Sequence, residues 1–364
     1  MEELVFVAVV LARFIVPFAI PRFPLPAIVA SLVIDAADQT IFAAFDVEPD
    51  NYQAYDKALD IYYLTIAYIS IIRNWTDGVA FRVGQFLWYY RLVGVVAFEL
   101  SGARALLLIF PNTFEYFFIF YEIVRLKWEP SNLSRKATIG AAAAIWIMIK
   151  LPQEYWIHIA QLDVTDILSD HPWIWAVLAL VAAAAITLTA RIAPKLPPPD
   201  WALSFDVDAH ETTVVSEPAD AQRGRWIMLD HPLIEKTLLV GFVTTIFLQL
   251  VPEVDAGLLE ITTGVGVIVV ASSFIGYWLA QRGTTWTSSL SEFVGAGAIN
   301  IGIVIALQLL PGETDDGGPG VILTLFLLAL LTLIVTLYDR YRLLRLASQT
   351  SRDTKAAQTN LSPS

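Results

Sequence analysis

The sequence predicts an all-α fold, a polytopic integral membrane helical bundle of about eleven transmembrane helices, with the N-terminus outside and the C-terminus in the cytoplasm. Three observations predict it. Hydrophobic residues make up 56% of the 364 residues, and the mean hydropathy is +0.61. Charged residues make up 16% of the chain, whereas soluble domains carry about 25%. Apolar segments long enough to cross a bilayer recur from one end of the chain to the other.

The apolar segments define the predicted spans. The acidic N-terminus lacks the basic region of a cleavable signal, so the first segment is expected to remain as a span. We place the spans at about 4–20, 25–45, 59–73, 83–99, 105–124, 137–157, 173–191, 232–251, 257–281, 287–310 and 320–338.

The basic residues between the spans set the predicted orientation. With the N-terminus outside, the Lys and Arg residues of the loops collect on the inside, as the positive-inside rule requires. Only Lys57 and Arg104 are basic residues in outside loops. We therefore expect a multi-pass protein of the plasma membrane, with membrane lipid as a partner.

Polarity divides the chain into four segments. Residues 1–191 form a polar-lined unit of about seven spans, and residues 192–231 form an acidic, Pro-rich cytoplasmic loop that is too short for its own core. Residues 232–340 form an apolar transmembrane unit of about four helices, and residues 341–364 form a partly disordered cytoplasmic tail. Small residues in the C-terminal helices favour close helix contacts, so a homo-oligomer through these helices is expected.

Composition excludes several classes of function. The chain has no cysteine, which rules out disulfides, thiol catalysis and thiolate metal sites. The balance of 23 basic to 35 acidic residues argues against a nucleic-acid partner. No P-loop, dinucleotide fingerprint, zinc-protease motif or hydrolase elbow occurs, so no cofactor is indicated beyond a bound monovalent or divalent cation.

Two carboxylates interrupt the second predicted span near its centre. Asp35 and Asp38 are three residues apart, so they share one face of a helix. An ionisable group at that depth costs about 2.5–3.5 kcal/mol and is by default a functional-site hypothesis. If the protein binds a metal ion, we expect Asp35 and Asp38 to be its ligands.

Further charged and amide side chains of the first six spans share one depth, from the midplane to the outer surface. Six charges facing lipid would cost roughly 15–20 kcal/mol, which exceeds the stability of a typical domain, about 5–15 kcal/mol. These side chains are therefore expected to face inward, around a wet cleft open to the outside. The candidate substrate-binding or ion-binding residues are Asp35, Asp38, Gln39, Arg91, Asn112, Glu115, Lys150, Gln153, Glu154 and His158.

Two prolines fall beside these candidates. Pro111 directly precedes Asn112, and Pro152 lies between Lys150 and Glu154, which form an i,i+4 pair. Proline inside a helix removes a backbone hydrogen bond and frees a carbonyl. Helices broken in this way expose backbone groups to substrates and ions in transporters.

The leading hypothesis is a permease for a small solute or an ion. Asp35 and Asp38 would bind the cation or carry a coupled proton, helped by Glu115, while Arg91 and Lys150 would tune these carboxylates or meet an anionic part of the substrate. The structural alternative is a non-catalytic membrane scaffold. In that protein, the two acids would form ion pairs with Arg91 or Lys150 that only fix helix packing.

The enzymatic alternative is glycosyl or phosphoryl transfer to or from a lipid-linked substrate at the outer face. The carboxylates would then bind Mg²⁺ or act as a general base. The spacings of Asp35 with Asp38 and of Asp56 with Asp60 resemble those with which membrane transferases hold a divalent metal and a pyrophosphate. The residues that flank such motifs in those families are absent here, so the sequence leaves enzymatic activity open.

Overall fold

The computed structural model describes residues 2–45, 52–129, 133–160, 231–249 and 330–339, with isolated positions within 173–207 and 327–345. These residues are mostly helical and include no strand, which confirms the all-α prediction for this part of the chain. The predicted spans at 257–281 and 287–310, with the oligomer surface expected there, lie outside the described residues. So do most of the predicted cytoplasmic loop and tail.

Ten α-helices with defined bounds occur in the described part, besides isolated helical positions between 173 and 191. They are α1 (Glu2–Ile15), α2 (Pro24–Ala44), α3 (Tyr52–Asn74), α4 (Gly78–Ser101), α5 (Ala105–Ile109), α6 (Thr113–Arg125), α7 (Arg135–Ala144), α8 (Leu151–Glu154), α9 (His231–Gln249) and α10 (Leu330–Asp339, with helical positions up to Arg345). A 3₁₀ turn (Val16–Ala19) follows α1, and π-helical segments (Ile145–Lys150 and Tyr155–Ala160) flank α8.

The chain packs into two compact units. The first comprises Met1–Gln85 with Ser204–Ser364, and the second comprises Phe86–Leu203, so the boundary falls within α4. The division by polarity at the long loop stays a prediction.

Helix α3 lies at the centre of the first unit. From Ala58 to Ile72 every side chain except that of Asp60 is buried, so this helix is enclosed on all sides. It contacts α1, α2 and α9. A helix that is apolar on all faces belongs in the interior of a bundle, which explains this position.

Local sequence signals set several helix ends. The Asp77 side chain accepts a hydrogen bond of 2.8 Å from the backbone N–H of Val79 and caps the start of α4. Gly102, with φ of +67°, ends that helix in the left-handed conformation that glycine tolerates. The Ser134 hydroxyl accepts from the backbone N–H of Ala137 at 3.2 Å and caps α7.

Aromatic side chains form the core of the second unit. The rings of Trp88 and Phe114 lie 5.5 Å apart, and those of Phe114 and Phe118 lie 6.1 Å apart; all three residues are buried. Helix α4 approaches the end of α5 closely at Gly94, where an added Cβ would lie 2.1 Å from Phe110 Cβ. Only glycine fits this contact without a rearrangement.

Among the described residues, one helical stretch is long and apolar enough to cross a membrane, by length and composition. It is Ala105–Arg125, with a mean hydropathy of 1.3 and half of its residues buried. Leu4–Ala19 and Leu330–Asp339 are shorter apolar helices. This is weak support for membrane association, and the eleven spans with their orientation stay predictions.

Candidate functional site

Arg13 lies at the centre of a charged cluster in the first unit. Its Nη1 donates hydrogen bonds to Asp38 and, at 2.6 Å, to Asp56 Oδ1. Its Nη2 donates to Asp35 and, at 2.7 Å, to Asp60 Oδ1. We call these five residues the Arg13 cluster. One guanidinium therefore joins α1 to two acids of α2 and two acids of α3.

Helix periodicity and aromatic packing bring these charges together. The two acids of α2 are three residues apart and those of α3 are four apart, so each pair shares one helical face. Next to the cluster, the rings of Phe14 and Tyr62 stack at 5.5 Å, and the Tyr62 hydroxyl donates to the Phe14 carbonyl at 3.1 Å. Nearer the start of α1 and of α3, the rings of Phe6 and Tyr55 pack edge to face with their centres 5.6 Å apart. These contacts hold α1 against α3 at the level of Arg13.

Burial within the Arg13 cluster changes from one side to the other. The side chains of Arg13 and Asp38 are 4% and 2% exposed. Those of Asp35, Asp56 and Asp60 are 28%, 30% and 42% exposed. The cluster therefore runs from a buried interior to a partly exposed edge.

The charges of the Arg13 cluster do not balance. One guanidinium and four carboxylates give a net charge of −3 when all are ionised. One oxygen each from Asp35, Asp38 and Asp56 lies within 4.8 Å of the other two, so a single cation could bind all three. Protons bound by the carboxylates would relieve the same excess of negative charge.

A second set of charged residues lies in the second unit. The backbone N–H of Asn112 donates to Glu154 Oε1 at 3.1 Å, and the Asn112 side-chain amide donates to Glu115 Oε2 at 2.7 Å. Lys150 Nζ lies 4.0 Å from that Glu115 oxygen. We call these four residues the Lys150 cluster. Its three charged side chains are all buried.

The Lys150 cluster is built on a helix break, as Pro111 predicted. Helix α5 ends at Ile109, and α6 begins two residues after the proline. Two side chains of α4 donate hydrogen bonds to backbone carbonyls at the break. Tyr90 Oη donates to the Ile109 carbonyl at 2.9 Å, and Arg91 Nη1 donates to the Phe110 carbonyl at 3.1 Å.

The expected interruption at Pro152 takes another form. The chain stays helical there and widens into π-helical turns on both sides of α8, with the Leu151 N–H donating to the Trp146 carbonyl five residues earlier. A π turn re-pairs carbonyls that a proline would leave free, and such turns are frequent at functional sites. The widened turn also carries Lys150 into the interior, where it is buried.

Tyr116 completes the surroundings of Lys150. The Lys150 ammonium lies 3.8 Å from the centre of the Tyr116 ring, a cation–π contact. Gln153 forms a side-chain hydrogen bond with the same tyrosine. Lys150 therefore has a carboxylate and an aromatic face as partners.

No family model, no curated protein and no solved structure matches this chain. Function must therefore be argued from the geometry of the two clusters.

The structure distributes the sequence-predicted residues over the two units. Asp35 and Asp38 belong to the first unit, and both bind Arg13, whereas the sequence suggested Arg91 or Lys150 as their cation. The second unit holds Arg91, Asn112, Glu115, Lys150, Gln153 and Glu154. The side chains of Gln39 and His158 lie outside the described residues.

Sequence reasoning missed three members of the Arg13 cluster. Arg13 lies within the first predicted span. An ionisable residue inside a span is by default a functional-site hypothesis, so the reasoning applied to Asp35 and Asp38 applies equally to Arg13. Asp56 and Asp60 entered the sequence analysis only through their spacing, in the enzymatic alternative, and not as candidate site residues. Their i,i+4 spacing at the start of an apolar helix was the available signal.

Proposed function

We propose that this protein is a multi-pass membrane permease whose transport is coupled to a cation or proton bound at the Arg13 cluster. The observation that carries the proposal is that four carboxylates converge on the one guanidinium of the buried Arg13 in the described part of the chain.

The distribution of polar and apolar side chains on α1 supports the membrane location. Leu4, Val7, Leu11 and Ile15 form an exposed apolar stripe along α1, at the i,i+3 and i,i+4 spacing of one helical face. Arg13, on the same helix, is buried. Soluble proteins bury apolar side chains and expose charges, whereas lipid favours the reverse.

The charge balance supports ion coupling. A carboxylate at membrane depth costs about 2.5–3.5 kcal/mol on insertion scales, so the five residues of the cluster, with four carboxylates and one guanidinium, would gain from protons or a cation. The partly exposed edge gives such an ion access, and the buried Asp38 holds it near the guanidinium. In the predicted orientation this edge faces the outside.

The Lys150 cluster has a different role in this proposal. Lys150 lies beside Glu115, and Arg91, which binds the neighbouring Phe110 carbonyl, adds a second positive charge near Glu115 and Glu154. Balanced, buried charges of this kind specify packing. We assign this cluster to holding the break between α5 and α6 in one conformation.

Reconstituted ion flux tests the proposal. Proteoliposomes with an internal pH dye report proton movement, and radioactive Na⁺ reports sodium movement, each down an imposed gradient. We expect flux above that of empty liposomes for the native chain. The double substitution Asp35→Asn with Asp38→Asn is expected to reduce it to the level of empty liposomes while membrane abundance is unchanged.

A matched control removes a carboxylate elsewhere in the same unit. Asp206 pairs with the exposed Arg22 at 3.1 Å, so Asp206→Asn is expected to keep native flux. Native flux in the Asp35 and Asp38 double variant would end the proposal. So would a correctly folded native chain that moves neither ion.

The enzymatic alternative has one observation in its favour, the three convergent oxygens of Asp35, Asp38 and Asp56. A Mg²⁺ ion bound there would support transfer chemistry on a lipid-linked phosphate. Each of these carboxylates also accepts a hydrogen bond from the Arg13 guanidinium, which would compete with Mg²⁺ and with a monovalent metal ion alike, but not with a proton on a free oxygen. Calorimetric titration with Mg²⁺ distinguishes the two, since the permease proposal with a monovalent ion predicts no saturable Mg²⁺ binding.

A further inference from the structure

A second charged network lies further along α3. Tyr68 follows Asp60 by eight residues, which is about 12 Å along a helix. The segment between them is buried on all faces. The central helix of the first unit therefore contributes to the Arg13 cluster near one end and to another polar network towards the other.

Glu235 is the centre of this network. It is buried at the start of α9, and one of its oxygens, Oε1, accepts hydrogen bonds from the Tyr68 hydroxyl and, at 2.9 Å, from Gln85 Nε2. Its other oxygen, Oε2, lies 3.5 Å from Arg342 Nη1. We call these four residues the Glu235 network. It joins α3, α4, α9 and the helical segment that follows α10.

A neighbouring ion pair strengthens the same junction. Lys236 is buried, and its ammonium donates to Asp339 Oδ2 at 2.7 Å, while the Asp339 side chain is 44% exposed. This pair therefore extends from the interior to solvent. It links α9 to α10 a second time.

Arg345 attaches the same C-terminal segment to the end of α3. Its Nη1 donates to the carbonyls of Ile72 and Trp75 at 3.2 and 3.1 Å, and its guanidinium lies 3.6 Å from the centre of the Phe81 ring. A cation at the C-terminus of a helix pairs with its last carbonyls and with its dipole. Four helices therefore meet at this end of α3 through charged side chains.

The two acids and two bases of the Glu235 network and the Lys236–Asp339 pair cancel in charge, in contrast to the Arg13 cluster, while Arg345 binds backbone carbonyls beside them. Glu235 and Asp339 balance Lys236 and Arg342, so no added ion is needed. The Arg342 contact is loose, because 3.5 Å is long for an ionic hydrogen bond and Arg342 Nε is buried without a hydrogen-bond partner. In a buried ion pair with such a long contact, the attraction between the charges only roughly offsets the cost of removing them from water. The pair can therefore separate when water enters.

The predicted topology places this junction on the cytoplasmic side, since α9 begins after the inside loop and α10 leads into the inside tail. We propose that the Glu235 network and the Lys236–Asp339 pair form the inner gate of the permease, closed here while the edge of the Arg13 cluster is open. This inference rests on the proposed function and deepens it. Alternating access requires such a seal opposite an accessible site.

Cysteine accessibility tests the gate directly, because the native chain has no cysteine. Ser70 is a suitable reporter. It is buried on α3 two residues beyond Tyr68, and its hydroxyl donates within the same helix, to the Ala67 carbonyl at 2.7 Å. Ser70→Cys is labelled with a membrane-impermeant thiol reagent in inside-out vesicles, and the rate of modification is measured.

We expect slow labelling in the otherwise native chain. Arg342→Gln removes one ionic contact of the gate and Asp339→Asn removes the other. Each is expected to raise the labelling rate at least about tenfold, by increasing the population with the inner side open. Asp339→Asn keeps a side-chain oxygen that can accept from the buried Lys236 ammonium, so it is expected to fold even if the first variant does not.

Two controls separate a gate from a general loosening of the fold. Arg342→Lys keeps the charge at a contact that is not bidentate, so it is expected to restore slow labelling. Arg22→Gln removes an exposed ion pair of the same unit and is expected to leave the rate unchanged. Labelling that stays slow in folded Arg342→Gln and Asp339→Asn proteins would overturn the gate.

The outcome is independent of the test of function. Suppose that the Asp35 and Asp38 double variant loses flux and that Ser70→Cys is labelled slowly in the native, Arg342→Gln and Asp339→Asn proteins. The proposed permease function is then supported and the proposed gate is contradicted. If labelling responds as expected and the native chain moves no ion, the proposed function falls instead.

Discussion

Replacing Arg13 by glutamine leaves four carboxylates without the cation they share. Asp38 would carry most of the loss, because its side chain is 2% exposed, whereas those of the other three acids are 28–42% exposed and can be hydrated. Removing one partner of a buried ion pair costs about 3–5 kcal/mol. Since one of the four carboxylates is fully buried, we expect a loss of about 3 kcal/mol in the free energy of unfolding.

Thermal unfolding in detergent measures this loss. For units of this size 1 kcal/mol corresponds to about 2–4 °C, so Arg13→Gln is expected to lower the midpoint by roughly 6–12 °C. Adding Asp38→Asn removes the stranded buried charge and leaves two amides that can hydrogen-bond. The double variant is therefore expected to recover at least about half of the lost stability.

Two outcomes would refute this reasoning. A midpoint for Arg13→Gln within about 1 °C of the native value would show that the guanidinium does not hold the cluster together. A double variant no more stable than Arg13→Gln would show that the cost does not arise from the buried carboxylate.

The remaining predictions concern the second unit. Gly94→Ala places a Cβ 2.1 Å from Phe110 Cβ, so it is expected to destabilise the protein by about 1–3 kcal/mol. In the control Gly140→Ala the new Cβ has no atom within 4 Å, so this variant should stabilise the helix by about 0.5–1 kcal/mol. Equal thermal unfolding midpoints for the two variants would contradict the close approach at Gly94. Lys150→Met leaves the buried Glu115 without its ammonium partner and should lower the free energy of unfolding by about 3–5 kcal/mol. Adding Glu115→Gln to this variant should restore part of the lost stability. An unchanged unfolding midpoint for Lys150→Met would contradict the pairing.

Some features of the fold follow directly from the sequence. The apolar segments predict helices, and the described part of the chain is helical where they lie. Pro111 predicts the break between α5 and α6, because proline cannot donate to the preceding turn. Pro152 does not break its helix, since π-helical turns absorb the missing hydrogen bond. A wider turn depends on packing around Lys150, which a local pattern does not encode.

The composition of the Arg13 cluster could be predicted only in part. The spacing of Asp35 and Asp38 places both on one face, but it does not say which cation they meet. Arg13 and Asp60 are 47 residues apart, and their contact depends on how three helices pack. An inventory of every ionisable residue within the predicted spans would have included Arg13.

The Glu235 network shows the same limit. The C-terminal helices were expected to form an apolar unit, and Glu235 and Lys236, which lie inside the span predicted at about 232–251, were not singled out. Burial of the Glu235 and Lys236 side chains depends on tertiary packing. It requires Arg342 and Asp339, which lie about a hundred residues later in the sequence, to pack against them. Sequence distance of this kind hides such partners from local reasoning.

The enclosure of α3 has a mechanical consequence. A single continuous helix supplies Asp56 and Asp60 to one set of ionic contacts and Tyr68 to another, with rigid, tightly packed turns between them. A slide of this rod along its axis by the rise of one residue, about 1.5 Å, would stretch hydrogen bonds at both ends at the same moment. Two distant sites can then respond to each other without any relay of side chains, because they are attached to one moving part.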